Sequence, residues 1–143
     1  MTYASVPVDI QPIKLKDVKK NGLYWRDTDK LSSTEFTFSR FLVPELCDFK
    51  GWALFIDCDF IALTDIKQLF DHCNEKYALM CAQHDYTPRK GYKMDGQIQH
   101  LYPRKNWSSM MVFNCEHPKN KILTPELLNE ESPKFLHLSL IHI

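Results

Sequence analysis

The chain has no charge imbalance, since eighteen basic residues face eighteen acidic ones. No global field therefore steers it to nucleic acid or to an anionic membrane, and an anionic ligand would have to be held by local groups or a metal. No C-x-x-C pair occurs among the five cysteines, at 47, 58, 73, 81 and 115, so neither a zinc knuckle nor the usual redox motif is signalled. Their odd number and mostly apolar surroundings read as buried free thiols of a reducing compartment. The opening "MTYASVPVDI" lacks a basic region followed by an apolar stretch, so it does not read as a signal peptide. No apolar run approaches the length of a bilayer span. A cytoplasmic protein with no transmembrane segment and no nucleic-acid partner is expected. Internal repeats and low-complexity tracts are also missing.

What is present fits one globular domain. The 143 residues are 44% apolar and 25% charged, enough to bury a core. Val6, Val8 and Ile10 alternate with polar positions and predict a strand over 6–15, interrupted by Pro12. Residues 19–33 read as an exposed loop. Ser32 and Glu35 form a capping box, after which Phe38, Phe41, Leu42 and Leu46 recur at helical spacing, with Pro44 shortening the helix. "GWALFID" (51–57) is apolar on both faces and predicts a central strand. Strands are also expected in 77–85 and 108–115, with a helix in 63–73 capped by Thr64 or Asp65. Short helices follow in "KNKIL" and "TPELLNEE", where Pro125 suits the first position after Thr124. Residues 86–107 are basic and aromatic, too polar for a core. Strands alternating with helices predict an α/β layered sheet.

The chemistry concentrates in "WALFIDCDFIAL" (52–63), where Asp57 and Asp59 end an apolar run. Ligands of open α/β sheets bind beyond the carboxyl ends of strands. On extended backbone, residues two apart point the same way, which sends both carboxylates to one site and Cys58 back toward the core. Unpaired, the carboxylates would repel. Magnesium or manganese resolves this, because such hard cations take one or two carboxylates plus phosphate oxygens. Two other readings remain open. The pair can simply cap a turn. Alternatively, Asp57 is the nucleophile and Asp59 the acid of a haloacid-dehalogenase-like phosphatase. Against the phosphatase, Phe60 and Ile61 replace the small residues expected after the pair, and more than fifty residues precede Asp57. His84 and His100 read as ordinary polar histidines, with no spacing that pairs them as ligands.

The longer block "STEFTFSRFLVPELCDFKGWALFIDCDFIALTDIKQLF" resembles the central part of GT-A-fold glycosyltransferases, in particular family 8. There, an Arg-bearing helix leads through P-x-L and an apolar strand into D-x-D and then DI-x-x-LF. The resemblance runs from about residue 6 to about residue 137, through "HDYTP", "KMDGQ" and "YPRKNWSS", which are similar to an uncharacterised bacterial branch. It implies a mixed, mostly parallel sheet with flanking helices, incomplete at both ends, with residues 1–137 forming part of the domain. It also implies manganese (or magnesium) on Asp57 and Asp59, gripping the pyrophosphate of a nucleotide-sugar donor. Arg40 matches the helix arginine that faces the donor. Asn106, Ser108 and Ser109 match the segment approaching the donor sugar, although strand alignment puts Trp107 under the family's Asn. Asp95 and Gln97 are candidates for hydrogen bonds to a glycan acceptor. The expected function is sugar transfer from a nucleotide-diphosphate donor, UDP-linked, with the partial domain expected to be inactive alone, and with a non-catalytic nucleotide- or glycan-binding domain as the alternative. The end "LSLIHI" (138–143) equals one reading frame of a transposon mosaic-end adapter and is expected to be non-native.

Overall fold

The computed structural model describes residues 4–27, 37–84, 105–132 and 135–136. The capping box at Ser32 and Glu35, His100, Asp95, Gln97 and the 138–143 tail lie outside these residues.

Among the described residues three strands form one sheet: β1 (Trp52–Ile56), β2 (Leu79–His84) and β3 (Lys105–Asn114), in the order β1-β3-β2. Both pairings are antiparallel. The expected mostly parallel sheet is therefore corrected, and the reason is physical. An apolar run reports burial on both faces and carries no information about strand direction. β1 and β2 run the same way, as in a βαβ unit, but β3 enters between them and opposes both. The central strand is thus β3, whose Met111, Val112 and Phe113 are buried. β1, expected at the centre, is half-buried and ends in the exposed Ile56.

Register explains the core. Phe113 lies between Ala53 and Leu79, and Met111 between Phe55 and Cys81. With a side-chain period of two, these six residues share one sheet face. That face packs on Phe38, Phe41, Leu42, Leu128 and Leu136. Phe41 and Leu42 belong to a 3₁₀ turn, Ser39–Leu42, which runs into the short α2 (Val43–Leu46). Pro44 sits in the first turn of α2, where its missing donor costs nothing. The single helix expected across Phe38 to Leu46 is thus split in two. Asp48 and Phe49 then take left-handed backbone (φ 50° and 53°), and Gly51 does so at φ 67°. The Phe49 amide donates to the Pro44 carbonyl at 2.8 Å, closing the helix end before β1 begins.

The expected strand over 6–15 does not form. Residues 7–14 are irregular, and Leu15–Lys20 is a helix, α1. Pro7 and Pro12 supply no amide to a ladder, and Val8 and Ile10 are exposed. Instead the Ser5 amide donates to the Asp65 carboxylate at 3.1 Å. The helix in 63–73 shortens to α3 (Lys67–Phe70), with the Lys67 amide donating to Asp65 at 3.0 Å. Further on come a 3₁₀ turn, Pro118–Ile122, and α4 (Pro125–Glu130), whose Leu127 amide donates to Thr124 Oγ1. Among the described residues no helix is long and apolar enough to cross a membrane.

Candidate functional site at the tip of β1

The ladder carries one residue past β1, with the Asp57 amide donating to the Ser109 carbonyl at 2.9 Å. The chain then turns at once. The Phe60 amide donates to the Asp57 carbonyl at 3.3 Å, so Asp57 and Asp59 are the first and third residues of one tight turn. Asp57 is half-buried, while Cys58 and Asp59 are exposed. The expectation that Cys58 points to the core is corrected here. Strand alternation stops at Asp57, so the two-residue period no longer governs the residues of the turn.

Arg40 reaches this tip from the 3₁₀ turn. Its side chain is only 8% exposed, and its Nη2 lies 3.5 Å from the Asp57 carboxylate. Nη1 donates to the Ser108 hydroxyl at 3.1 Å and also to the Ser108 carbonyl. The guanidinium stacks 5.1 Å from the centre of the Phe55 ring. Nε is buried and has no hydrogen-bond partner among the described residues. Burial pushes the Arg40 pKa down, and the Asp57 charge pushes it back up; guanidinium stays protonated in either case. A cation has been desolvated beside one carboxylate that holds it at arm's length. Such an arrangement costs stability on its own, and it leaves acceptor capacity on Asp57 and a donor on Arg40.

Several sequence-predicted residues meet at this end of the sheet. Ser108 and Ser109 are half-buried and contact Arg40 and Asp57 respectively. Asn106 pairs with Gln83, and Lys105 with His84, which places their backbone at the same end. Between Cys81 and Gln83 the register jumps. Two steps along β2 match five along β3, from Met111 to Asn106, so β3 bulges beside the Asp57 turn. Sequence reasoning missed the Ser108 carbonyl and the Phe55 ring as partners of Arg40. A signal existed for the ring and none for the carbonyl. Phe55 precedes Asp57 by two and so shares its strand face, and Arg40 lies inside a run, 37–42, that is buried throughout.

Among the described residues no group of three or more His, Cys, Asp or Glu could hold a metal ion. Asp57 and Asp59 alone are a partial ligand set. That set suits magnesium or manganese, which complete their shells with water and phosphate oxygens, and it does not suit a dedicated protein cage.

A protein of Arabidopsis thaliana, Protein CDI, is 59% identical to this chain over 134 residues. The match covers 94% of this chain and 52% of that protein, so the chain spans about half the length of the curated relative. No family model matches the chain, and no solved structure matches it. The resemblance to family 8 of the GT-A glycosyltransferases, and to a bacterial branch of it, is corrected by these findings. The similarity found is to a plant protein whose name carries no activity, and the sheet is antiparallel.

Proposed function

We propose that the tip of β1 is the donor-binding part of a metal-dependent glycosyltransferase, which moves a sugar from a nucleoside-diphosphate donor to a hydroxyl of a glycan or similar acceptor. The observation that carries this reading is the buried Arg40 held against Asp57 beside the exposed Asp59. Two carboxylates and one guanidinium sum to a single negative charge. A divalent cation would overcompensate that charge, and a diphosphate would restore the balance. Cation and diphosphate are therefore expected to bind together, each weakly alone. Asp57 and Asp59 would hold the cation, which when bound supplies Lewis-acid stabilisation of charge on the departing diphosphate. Arg40 adds a fixed positive charge, oriented by Ser108 and Phe55 and shielded from water, where electrostatic contacts are strongest. The small Ser108 and Ser109 leave room for close approach along β3. Free thiols at all five cysteines suit a reducing compartment such as the cytoplasm.

Calorimetric titration of the protein with manganese alone, uridine diphosphate alone and both together tests the binding. Heat is expected chiefly in the third case. Turnover of uridine-diphosphate sugars with and without manganese then separates catalysis from binding. Tight manganese binding without nucleotide, or no binding with both, would overturn the reading. Binding without turnover would leave a nucleotide-binding domain in its place.

A further inference from the structure

We propose that the outer edge of β1 pairs with the same edge of a second copy of this chain, joining two sheets into one across a two-fold axis at Leu54. Among the described residues β1 is an edge strand, bonded on one side only. The Asp57 amide and the Gly51 carbonyl both bond to β3, so by antiparallel alternation the odd-numbered residues from 51 to 57 turn their backbone groups to that side. The amides and carbonyls of Trp52, Leu54 and Ile56 therefore face outward, and among the described residues none of them is hydrogen-bonded. Proteins blunt such edges with a charge, a proline or a bulge. "WALFI" has none of these, and Ile56 is 45% exposed. The other edge strand, β2, ends in the polar Gln83 and His84 and lies against the register break.

A second copy is the occupant because this edge complements itself. Antiparallel pairing about Leu54 matches Trp52 with Ile56 of the other copy, Leu54 with Leu54, and Ile56 with Trp52. All three are hydrogen-bonded pairs, so every outward amide and carbonyl finds a partner. Ala53 and Phe55 keep their side chains on the core face, and those of Trp52, Leu54 and Ile56 stand on the opposite face. There each exposed Ile56 meets a tryptophan, an aromatic against a β-branched side chain. Charge selects the same register. The exposed Lys50 of each copy comes opposite Cys58 of the other, between Asp57 and Asp59. One cation thus faces two carboxylates at both ends of the paired strands, as a self-complementary two-fold contact requires. The proposal does not rest on the donor-site reading, because its readouts are molecular mass and amide exchange.

The test follows the full chain by sedimentation velocity across a range of concentrations, with hydrogen exchange measured at both ends of that range. The expected result is a monomer when dilute and a species of two copies when concentrated. The amides of Trp52, Leu54 and Ile56 should slow on association, whereas those of Ala53 and Phe55, bonded to β3, are slow throughout. I56K puts a charge on an exposed edge position, so it should fold and stay monomeric. K50E should weaken association about tenfold, because each dimer carries the like-charge contact twice. D59K should do the same, and the double variant K50E/D59K should restore it. The proposal is overturned if the chain stays monomeric at every concentration, or if the three edge amides are already protected in the monomer, which would mean that another segment of the same chain covers them. It is equally overturned if assembly runs past two copies without stopping, or if a dimer survives I56K and K50E unchanged, which would place the contact on another surface.

Discussion

Replacing Arg40 by methionine separates the two things this side chain does. Its packing on Phe55 and its burial are largely kept, and the desolvation cost of the charge disappears. R40M should therefore melt within about 1 kcal/mol of the parent, yet lose about tenfold or more in affinity for nucleotide with manganese. R40A loses the same donor and also strips the packing on Phe55, and should cost about 2–3 kcal/mol. Thermal melts beside titration would show both, and a methionine variant that binds as before would remove Arg40 from the site. Asp59 is exposed, so D59N should change stability by no more than about 0.5 kcal/mol while weakening the manganese-dependent part of nucleotide binding. D57N should do the same to binding and cost about 1 kcal/mol besides, because Arg40 loses its counter-charge. The carboxylate pair was readable from the sequence, since an apolar run ending in D-x-D marks a strand tip. The arginine's burial was only half readable. An isolated arginine looks like a surface charge until its neighbours Thr37 to Leu42 are seen to be buried together.

At the scale of elements, Asn129 and Arg26 tie α4 to the chain before the sheet, with Arg26 Nη1 donating to the Leu128 and Glu131 carbonyls at 2.9 and 2.6 Å. Asn129 Oδ1 accepts from the Trp25 and Arg26 amides at 2.7 and 2.8 Å, and its amide donates to the Leu23 and Pro125 carbonyls at 3.1 and 2.6 Å. N129A should cost about 2–3 kcal/mol by leaving these groups without partners, measured by denaturant unfolding. The end of β3 makes a pH prediction. Folded Cys115 keeps its proton up to about 12, whereas an ordinary thiol loses it at 9.0. The stabilisation is thus fully present below about pH 9 and is lost as pH rises toward about 12. Tyr24, whose phenol burial also pushes up from 10.0, adds to the alkaline loss. Melting curves across that window should flatten in C115A relative to the parent, and an unchanged slope would count against the buried thiol. Element positions were legible where a local rule acts alone: the Trp52–Ile56 run, the Thr124–Pro125 cap, and Asp65 before α3. Strand direction and order were not. They depend on which distant segment supplies the partner, and alternation or apolar runs are silent on that. The same silence made 6–15 look like a strand, although its two prolines leave it poor in donors.

For the whole molecule, manganese and uridine diphosphate together should raise the melting temperature in a concentration-dependent way, as mass action requires of anything that binds only the folded state. Either alone should raise it far less, and equal shifts would argue against a shared site. The strand order has a consequence of another kind, for how the chain comes to be folded. Among the described residues β3 is the last strand in sequence and the middle one in space, with Trp52 paired to Asn114 and Leu79 to Phe113. During synthesis β1 and β2 emerge first, both apolar and without the strand they pair with, so no part of the sheet can assemble until the chain beyond Asn114 is available. Such long-range closure makes folding slow, on the order of milliseconds to seconds. Truncation just before β3 should leave the earlier strands as a nascent chain that chaperones retain and proteases cut.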